Sequence, residues 1–209
     1  MTMTDLSLVF GAYFLGSVPF GYIVVRLKMG VDIRTVGSGN VGATNVGRAL
    51  GRGWGIFVFT LDVLKGFLPV LAALLLDGLS VGAQRLPLAI ILVGLAAIVG
   101  HNWSIFLGFK GGKGVATSSG VFLAIFPLGL VLSLVVWAVV VKLTRYISLG
   151  SMIGAVALLL FAILLRDDPF GAGRWLTAFA ALAAVMNIAR HHANIRRLIA
   201  GAEGKIGKK

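Results

Sequence analysis

The sequence predicts an all-α integral membrane protein, and three observations support that fold class. Hydrophobic residues make up 58% of the 209 residues and charged residues only 12%, whereas soluble domains carry about 25% charged residues. Apolar runs of about 20 residues, the length that crosses a bilayer, recur along the whole chain. Basic residues are concentrated in the short stretches between these runs. A soluble protein with an all-buried helical core is therefore disfavoured.

Seven apolar segments are predicted to be membrane-spanning helices within a single domain, residues 1–209. The fourth is short and is predicted to be a tilted span, a re-entrant arm or part of a broken helix. Pro19, Pro69 and Pro127 are expected to kink or end helices. The segments are residues 5–27, 54–76, 86–106, 115–127, 128–143, 149–165 and 173–189.

Charge in the connecting loops predicts the orientation of these spans. The stretch from Arg26 to Arg52 and the tail from Arg190 are strongly basic, whereas the charges of Asp77 and Arg85 cancel. Positive and neutral loops alternate throughout a seven-span count, which places the N-terminus outside and the C-terminus in the cytoplasm. A five-span count breaks this alternation unless two segments are re-entrant.

The net charge of +12 therefore has a topological explanation, and some of the basic residues are also expected to bind an anionic substrate. No nucleic-acid partner is expected. The absence of cysteine excludes disulfides, thiolate metal sites and a cysteine nucleophile. The first apolar run is too long for a typical signal peptide and is expected to be a retained span.

The first polar motif is Gly37–Arg48, with the sequence G-S-G-N-V-G-A-T-N-V-G-R. Its glycines allow close approach of the backbone to a ligand, and successive N–H groups can form an anion site. Serine, asparagine and threonine add neutral hydrogen-bonding groups, and Arg48 adds a planar fork suited to phosphate. A dinucleotide-binding turn is disfavoured because no β-strand precedes the motif. We interpret it as a phosphate-binding loop rather than a plain flexible connection.

The second motif joins Gly100–Ser104 to Phe109–Thr117. Two lysines bracket a Gly-Gly turn at the start of an apolar helix, where open N–H groups attract anions. The spacing is similar to a P-loop, but Gly114 occupies the position of the magnesium-binding hydroxyl residue. Lys113 is interpreted as a phosphate ligand, whereas an interfacial anchor explains Lys110 equally well.

The third motif, Arg190–Lys205, follows the last predicted span. In a helix, His191 and Asn194 share one face and Arg196 points elsewhere. A basic tail that binds anionic lipid headgroups explains Arg196. It does not explain a histidine and an asparagine on a shared face, which favours a site.

Two smaller polar features lie outside the three motifs. Asp62 and Lys65 lie three residues apart inside the second predicted span and are interpreted as a structural ion pair, because charges within a membrane usually pair. Ser148 and Ser151 follow a basic turn on the inner side, where either hydroxyl can reach a site.

In this order and spacing, the motifs resemble those of the bacterial acyl-phosphate:glycerol-3-phosphate acyltransferases. The stretch T-R-Y-I-S-L-G-S, the chain length and the seven-span architecture are also similar to that family. Ser104 departs from the pattern, since the family often has proline there. The segments that carry the resemblance are G-S-G-N-V-G-A-T-N-V-G-R, G-H-N-W-S-I-F-L-G-F-K-G-G-K-G-V-A-T and R-H-H-A-N-I-R-R-L-I-A-G-A-E-G-K.

The resemblance implies an enzyme of the bacterial cell membrane that faces the cytoplasm, makes 1-acyl-glycerol 3-phosphate and releases phosphate. Acyl phosphate carries its own activated carbonyl, so no cofactor or metal is expected. The residues assigned to catalysis are Ser38, Arg48, Lys113, His191 and Asn194. The residues assigned to substrate binding are Asn40, Thr44, Asn45, Lys110, Gly111, Gly112 and Ser148.

The expected mechanism is attack of the C1 hydroxyl of glycerol 3-phosphate on the acyl carbonyl. Either His191 or the departing phosphate accepts the proton, and an acyl intermediate on Ser38 is a third route. An organophosphate transporter is a competing function, but it is expected to show inverted repeats and midplane sites. A non-catalytic lipid-binding protein explains the basic tail but not two glycine-rich loops.

Overall fold

All regular secondary structure within the described residues is helical. The computed structural model describes residues 2–79, 81 and 87–207. Arg85 and the last two lysines, whose charges entered the loop alternation, lie outside these residues. Two 3₁₀ turns, Ile33–Thr35 and Ile105–Leu107, accompany the α-helices. In chain order these are α1 (Met3–Ser17), α2 (Phe20–Met29), α3 (Ala43–Leu50), α4 (Arg52–Leu76), α5 (Leu88–Asn102), α6 (Val115–Ile125), α7 (Pro127–Thr144), α8 (Ile147–Leu164), α9 (Arg174–Arg190) and α10 (His192–Ile199).

Five helical stretches among the described residues are long and apolar enough to cross a membrane. The two other predicted spans, α6 and α9, are helices at the predicted positions but are shorter, with 11 and 17 residues. At about 1.5 Å per residue, α6 extends roughly 16 Å, against about 30 Å of hydrocarbon. The five stretches are Met3–Met29, Arg52–Leu76, Leu88–Leu107, Pro127–Thr144 and Ile147–Leu164.

Proline explains two of the helix boundaries. The first predicted span is divided into α1 and α2 at Val18–Pro19, because proline lacks the N–H group that a continuing helix requires. Pro127 occupies the first turn of α7 and separates it from α6, a position that suits its fixed φ angle. Pro69 differs, since α4 continues through it without ending.

The chain forms two compact units, the first comprising Met1–Ser80 with Leu92–Ala124. Glycine allows its helices to approach closely. A Cβ atom on Gly16 of α1 would overlap the backbone of Ala97 in α5, and one on Gly66 of α4 would overlap the backbone of Thr117 in α6. Glycine in these apolar segments therefore serves as a packing residue.

The second unit comprises Val81–Ile91 with Ile125–Lys209 and contains the antiparallel neighbours α7, α8 and α9. One face of α7 is apolar and exposed. Its residues recur every three or four positions, as expected for a face in contact with lipid acyl chains. The apolar residues of this face that are at least half exposed are Leu128, Val131, Val135, Val139 and Leu143.

Candidate active site

The first glycine-rich motif folds as a loop around one buried side chain, that of Asn45. Its Oδ1 accepts the backbone N–H of Ser38 at 3.0 Å. Its Nδ2 donates to the carbonyls of Val36 and Asn40, both at 2.9 Å. Gly37 has φ +57°, and a Cβ atom there would overlap Asn45 Oδ1. The loop thus closes on an asparagine that sits in the following helix, α3.

Three predicted site residues of this motif present exposed side chains. Ser38 lies on the loop, and Thr44 and Arg48 lie four residues apart on α3, hence on one face of that helix. Asn40 is half-buried, and its Oδ1 accepts the N–H of Gly42 at 2.9 Å. The amide side chains of the motif therefore shape the loop, while the hydroxyl and guanidinium groups face outward.

We expect Asn45→Ala to destabilise the protein more than any other substitution in this loop. The change leaves an N–H and two carbonyls without their buried partner, at a cost of about 2–3 kcal/mol in the free energy of unfolding. Asn40→Ala is the matched control, because it removes a single half-buried hydrogen bond. Thermal unfolding in detergent micelles measures both, and equal shifts for the two variants would contradict the assignment.

The second glycine-rich motif folds back onto the C-terminal end of α5. The carbonyl of His101 accepts the N–H of Gly112 at 3.0 Å. Gly111 lies directly against the carbonyl of His101, and Gly114 lies against the buried side chain of Asn102. Gly114 also has φ +80°, which favours glycine there. The backbone path of this loop is therefore fixed by contacts with the end of α5.

The two lysines of this loop differ in exposure: Lys110 is exposed, whereas Lys113 is half-buried at the start of α6. Ser104, the departure from the family pattern, has φ −65°, the value to which proline is restricted. Its hydroxyl donates to the carbonyl of Ser17 at 2.5 Å. The serine thus keeps a backbone compatible with proline and adds a hydrogen bond to α1.

The third motif divides into two helices at His191. Its side chain is 2% exposed, and its Nδ1 lies 2.8 Å from the carbonyl of Asn187. A carbonyl only accepts, so Nδ1 carries the proton, and in the neutral ring Nε2 is the acceptor. Asn194 is buried on α10 and Arg196 is exposed, as the helical spacing predicts. His191 and Asn194 thus both belong to the buried face of this segment.

Glu203 joins two predicted site residues. One carboxylate oxygen accepts the hydroxyl of Ser148 at 2.7 Å and the amide of Asn194 at 2.6 Å. The other accepts Nε of Arg197 at 2.7 Å. Burial by itself raises the pKa of Glu203, but the bonds from Ser148, Asn194 and Arg197 outweigh it and the net pKa is lowered. The carboxylate is therefore kept charged.

The sequence interpretation gave no role to Glu203. The sequence does contain a signal for such a role, because Glu203 is the one acidic residue in the basic tail that follows Arg190. Its neighbours in the tail are also docked: Ile206 exchanges hydrogen bonds with Arg145, and Lys205 lies over the ring of Tyr146. The tail is therefore part of the fold of the second unit.

The predicted site residues are grouped by unit. The second unit brings together Ser148, His191 and Asn194 through the α9–α10 junction and Glu203. Within residues 2–79, 81 and 87–207, no group of three or more metal-ligating side chains is assembled. The first unit holds Ser38, Asn40, Thr44, Asn45, Arg48, Lys110, Gly111, Gly112 and Lys113.

The family profile described as glycerol-3-phosphate acyltransferase matches residues 6–201. The chain belongs to this family. Its relatives include the glycerol-3-phosphate acyltransferase of Geobacter sulfurreducens, 46% identical with 97% of this chain and 98% of that protein covered. The enzyme of the same name from Aquifex aeolicus is 43% identical, with 96% and 98% covered.

Two similar crystal structures are of PlsY, an integral membrane glycerol 3-phosphate acyltransferase. Its glycerol 3-phosphate form is 42% identical with a TM-score of 0.88, covering 98% of this chain and 96% of that one. Its lysophosphatidic acid form is 41% identical with a TM-score of 0.85 and the same coverage. The predicted all-helical membrane fold is thus confirmed at the level of fold class.

Proposed function

We propose that the protein transfers the acyl group of an acyl phosphate to the C1 hydroxyl of glycerol 3-phosphate. The products are lysophosphatidic acid and phosphate. Membership of the family supports acyl transfer, and the ligand forms of the related PlsY structures support the acceptor and product. The observation that carries the donor assignment is the presence of two separate glycine-rich loops with cationic side chains, since two phosphorylated substrates require two anion sites.

The reaction is a direct displacement. The C1 oxygen of glycerol 3-phosphate bonds to the acyl carbonyl carbon, and the bond from that carbon to the phosphate oxygen breaks. The hydroxyl proton passes to the departing phosphate, so the charges and atoms balance without a cofactor. Arg48 and Lys113 hold phosphate groups and offset the charge that develops on the carbonyl oxygen. Holding two anions that otherwise repel each other supplies much of the rate.

The remaining predicted residues position the substrates. Ser38 and the N–H groups of its loop orient the acyl phosphate, and Asn194 and Ser148 hold the glycerol moiety. His191 donates Nδ1–H to the carbonyl of Asn187, so Nε2 is the acceptor of the neutral ring. We assign the hydroxyl proton to the departing phosphate, which is itself a base, and His191 Nε2 to the substrate as a ligand.

Phosphate release by purified protein in lipid tests the function. Acyl phosphate and glycerol 3-phosphate are supplied together and separately, and lysophosphatidic acid is assayed in parallel. Release that requires both substrates supports direct transfer. Release from acyl phosphate alone, with an acyl group trapped on Ser38, supports the covalent route instead. Product formation from acyl-CoA but not from acyl phosphate would overturn the donor assignment.

His191→Ala distinguishes the two proton acceptors. As a substrate ligand, His191 Nε2 accepts one hydrogen bond from a hydroxyl of the glycerol moiety, so its loss is expected to raise KM for glycerol 3-phosphate about tenfold. We expect kcat to change much less. The exposed neighbour His192 provides the control, because His192→Ala removes an imidazole without touching the buried face. A collapse of kcat at unchanged KM would instead identify His191 as the base.

We also propose that α6 and α9 complete a seven-span arrangement, with α6 short or re-entrant and the C-terminus in the cytoplasm of the bacterial cell. The loop charge alternation supports this count, and we propose a single domain over residues 1–209. The sequence contains no cysteine, so single cysteines at Thr2 and Gly207 report topology without background. Labelling of Thr2→Cys from outside and of Gly207→Cys only after permeabilisation is expected; the reverse pattern contradicts the orientation.

A further inference from the structure

Asp62, Lys65 and His101 form a buried charge cluster in the first unit. Lys65 Nζ lies 2.8 Å from Asp62 Oδ1, and His101 Nδ1 lies 3.7 Å from the same oxygen. The side chains are at most 7% exposed. Ionised groups inside an apolar helix are costly and commonly mark function. Helix packing alone does not require them, since apolar side chains of similar volume fill such positions at least as well.

Lys65 connects the cluster to the first glycine-rich loop. Its ammonium donates to the carbonyl of Val18 at 2.8 Å. That carbonyl lies at the break between α1 and α2, where proline leaves the helix ladder incomplete. Directly after the break, Gly21 packs so closely on the carbonyl of Val41 that a Cβ atom would overlap it. Val41 belongs to the Gly37–Arg48 motif, so the ion pair fixes the helix start that supports this loop.

His101 connects the cluster to the second glycine-rich loop. Its carbonyl accepts the N–H of Gly112. Its ring lies against Gly112, where a Cβ atom would overlap the imidazole. Lys113 follows directly, so the imidazole forms the support beneath the backbone that carries this lysine. Asp62 in turn lies beside the opposite nitrogen of the ring.

Both loops border one small pocket within the first unit. Its lining includes the whole cluster and a residue of each loop, Val41 and Gly111. Ser17, whose buried hydroxyl makes no hydrogen bond within the described residues, also lines it. The cluster thus lies at the point where the supports of the two loops meet.

We propose that Asp62, Lys65 and His101 are positioning residues that set the register between the two phosphate-binding loops. They touch neither substrate and act through Val18, Gly21 and Gly112. Arg48 and Lys113 then keep the spacing that two phosphorylated substrates need. The inference rests on the proposed function, because it assigns both loops to that reaction.

The double variant Asp62→Leu/Lys65→Met tests the proposal. Replacing both charges leaves no unpaired ion, so the fold is expected to keep its thermal stability. The variant loses the hydrogen bond from Lys65 to the carbonyl of Val18. We expect kcat/KM to fall about 100-fold, because a displacement of about 1 Å in a catalytic group has an effect of that size. Hydrogen exchange is expected to accelerate in residues 37–48, which Val18 and Gly21 support, and in residues 108–114, because His101 loses the carboxylate beside it. Ser133→Ala serves as the control, since its buried hydroxyl donates only within α7.

The single variant His101→Gln is the second test. It removes the ring beneath Gly112 and puts a neutral side chain in its place, while Asp62 keeps its partner Lys65. It is expected to raise KM for glycerol 3-phosphate about tenfold and to accelerate hydrogen exchange in residues 108–114. Wild-type exchange and kinetics in both variants overturn the proposal. If the wild-type protein transfers no acyl group, the proposed function is contradicted but the role of the cluster is not. Hydrogen exchange of the loops in the variants still tests that role.

Discussion

Arg48→Ala is expected to lower kcat/KM for acyl transfer by about 100- to 1000-fold, the usual effect of removing a charged group that stabilises a transition state. Arg48 is exposed and lies in α3, the helix in which the first glycine-rich motif ends. Arg48→Lys is expected to restore only part of this loss, because an ammonium cannot make two parallel bonds to a phosphate. Phosphate release with both substrates supplies the kinetic constants.

Arg52→Ala is the matched control for this change. Arg52 begins α4, carries the same charge, lies four residues further along the chain and is likewise exposed. A general electrostatic attraction of anionic substrates affects both variants alike and weakens with added salt. Equal losses in the two variants would therefore contradict a specific role for Arg48, whereas a loss confined to Arg48→Ala at any salt concentration supports it.

The sequence predicts the helices well, because lipid leaves the chain few alternatives to helix. The prolines predicted the break at Pro19, and the division between the fourth and fifth apolar segments was predicted to within about one residue of Pro127, where α7 begins. The fourth segment was correctly predicted to be short, and α6 ends after 11 residues. Hydropathy continues through Phe126 without a polar boundary, so only the proline marks that end. Pro69 shows the limit of such reasoning, since α4 continues through it.

The candidate site could be predicted from the sequence only in part. Motif reasoning selected the glycine-rich loops, since glycine content and basic residues are visible in the sequence. The motifs do not indicate which polar side chains bond within the loops themselves. Asn45 was predicted to bind substrate, yet its polar atoms are bonded to its own loop. The role of Glu203 depends on contacts with Ser148, which lies 55 residues away along the chain, and such pairings leave no local signal.

Glu203→Ala is expected to reduce both stability and activity. Its carboxylate is the acceptor for Ser148, Asn194 and Arg197, and hydrogen bonds to a charged group contribute about 1.5–3 kcal/mol. For a chain of this size we expect a fall in Tm of about 5–10 °C. Asn194 and Ser148 lose the partner that orients them, so kcat/KM is expected to fall about 100-fold.

Glu203→Gln tests whether Glu203 acts through its negative charge or only as a hydrogen-bond acceptor. An amide oxygen still accepts from Ser148 and Asn194, so most of the activity is expected to remain, but the bond from Arg197 loses its carboxylate. The pKa of Glu203 is lowered on folding, so its contribution to stability is present above the unfolded value of about 4.3 and is lost as the pH falls through the folded value. Wild-type Tm is therefore expected to decline below about pH 4 more steeply than that of Glu203→Gln. Parallel pH profiles, or a fully active Glu203→Ala, would show that the tail does not support Ser148 and Asn194.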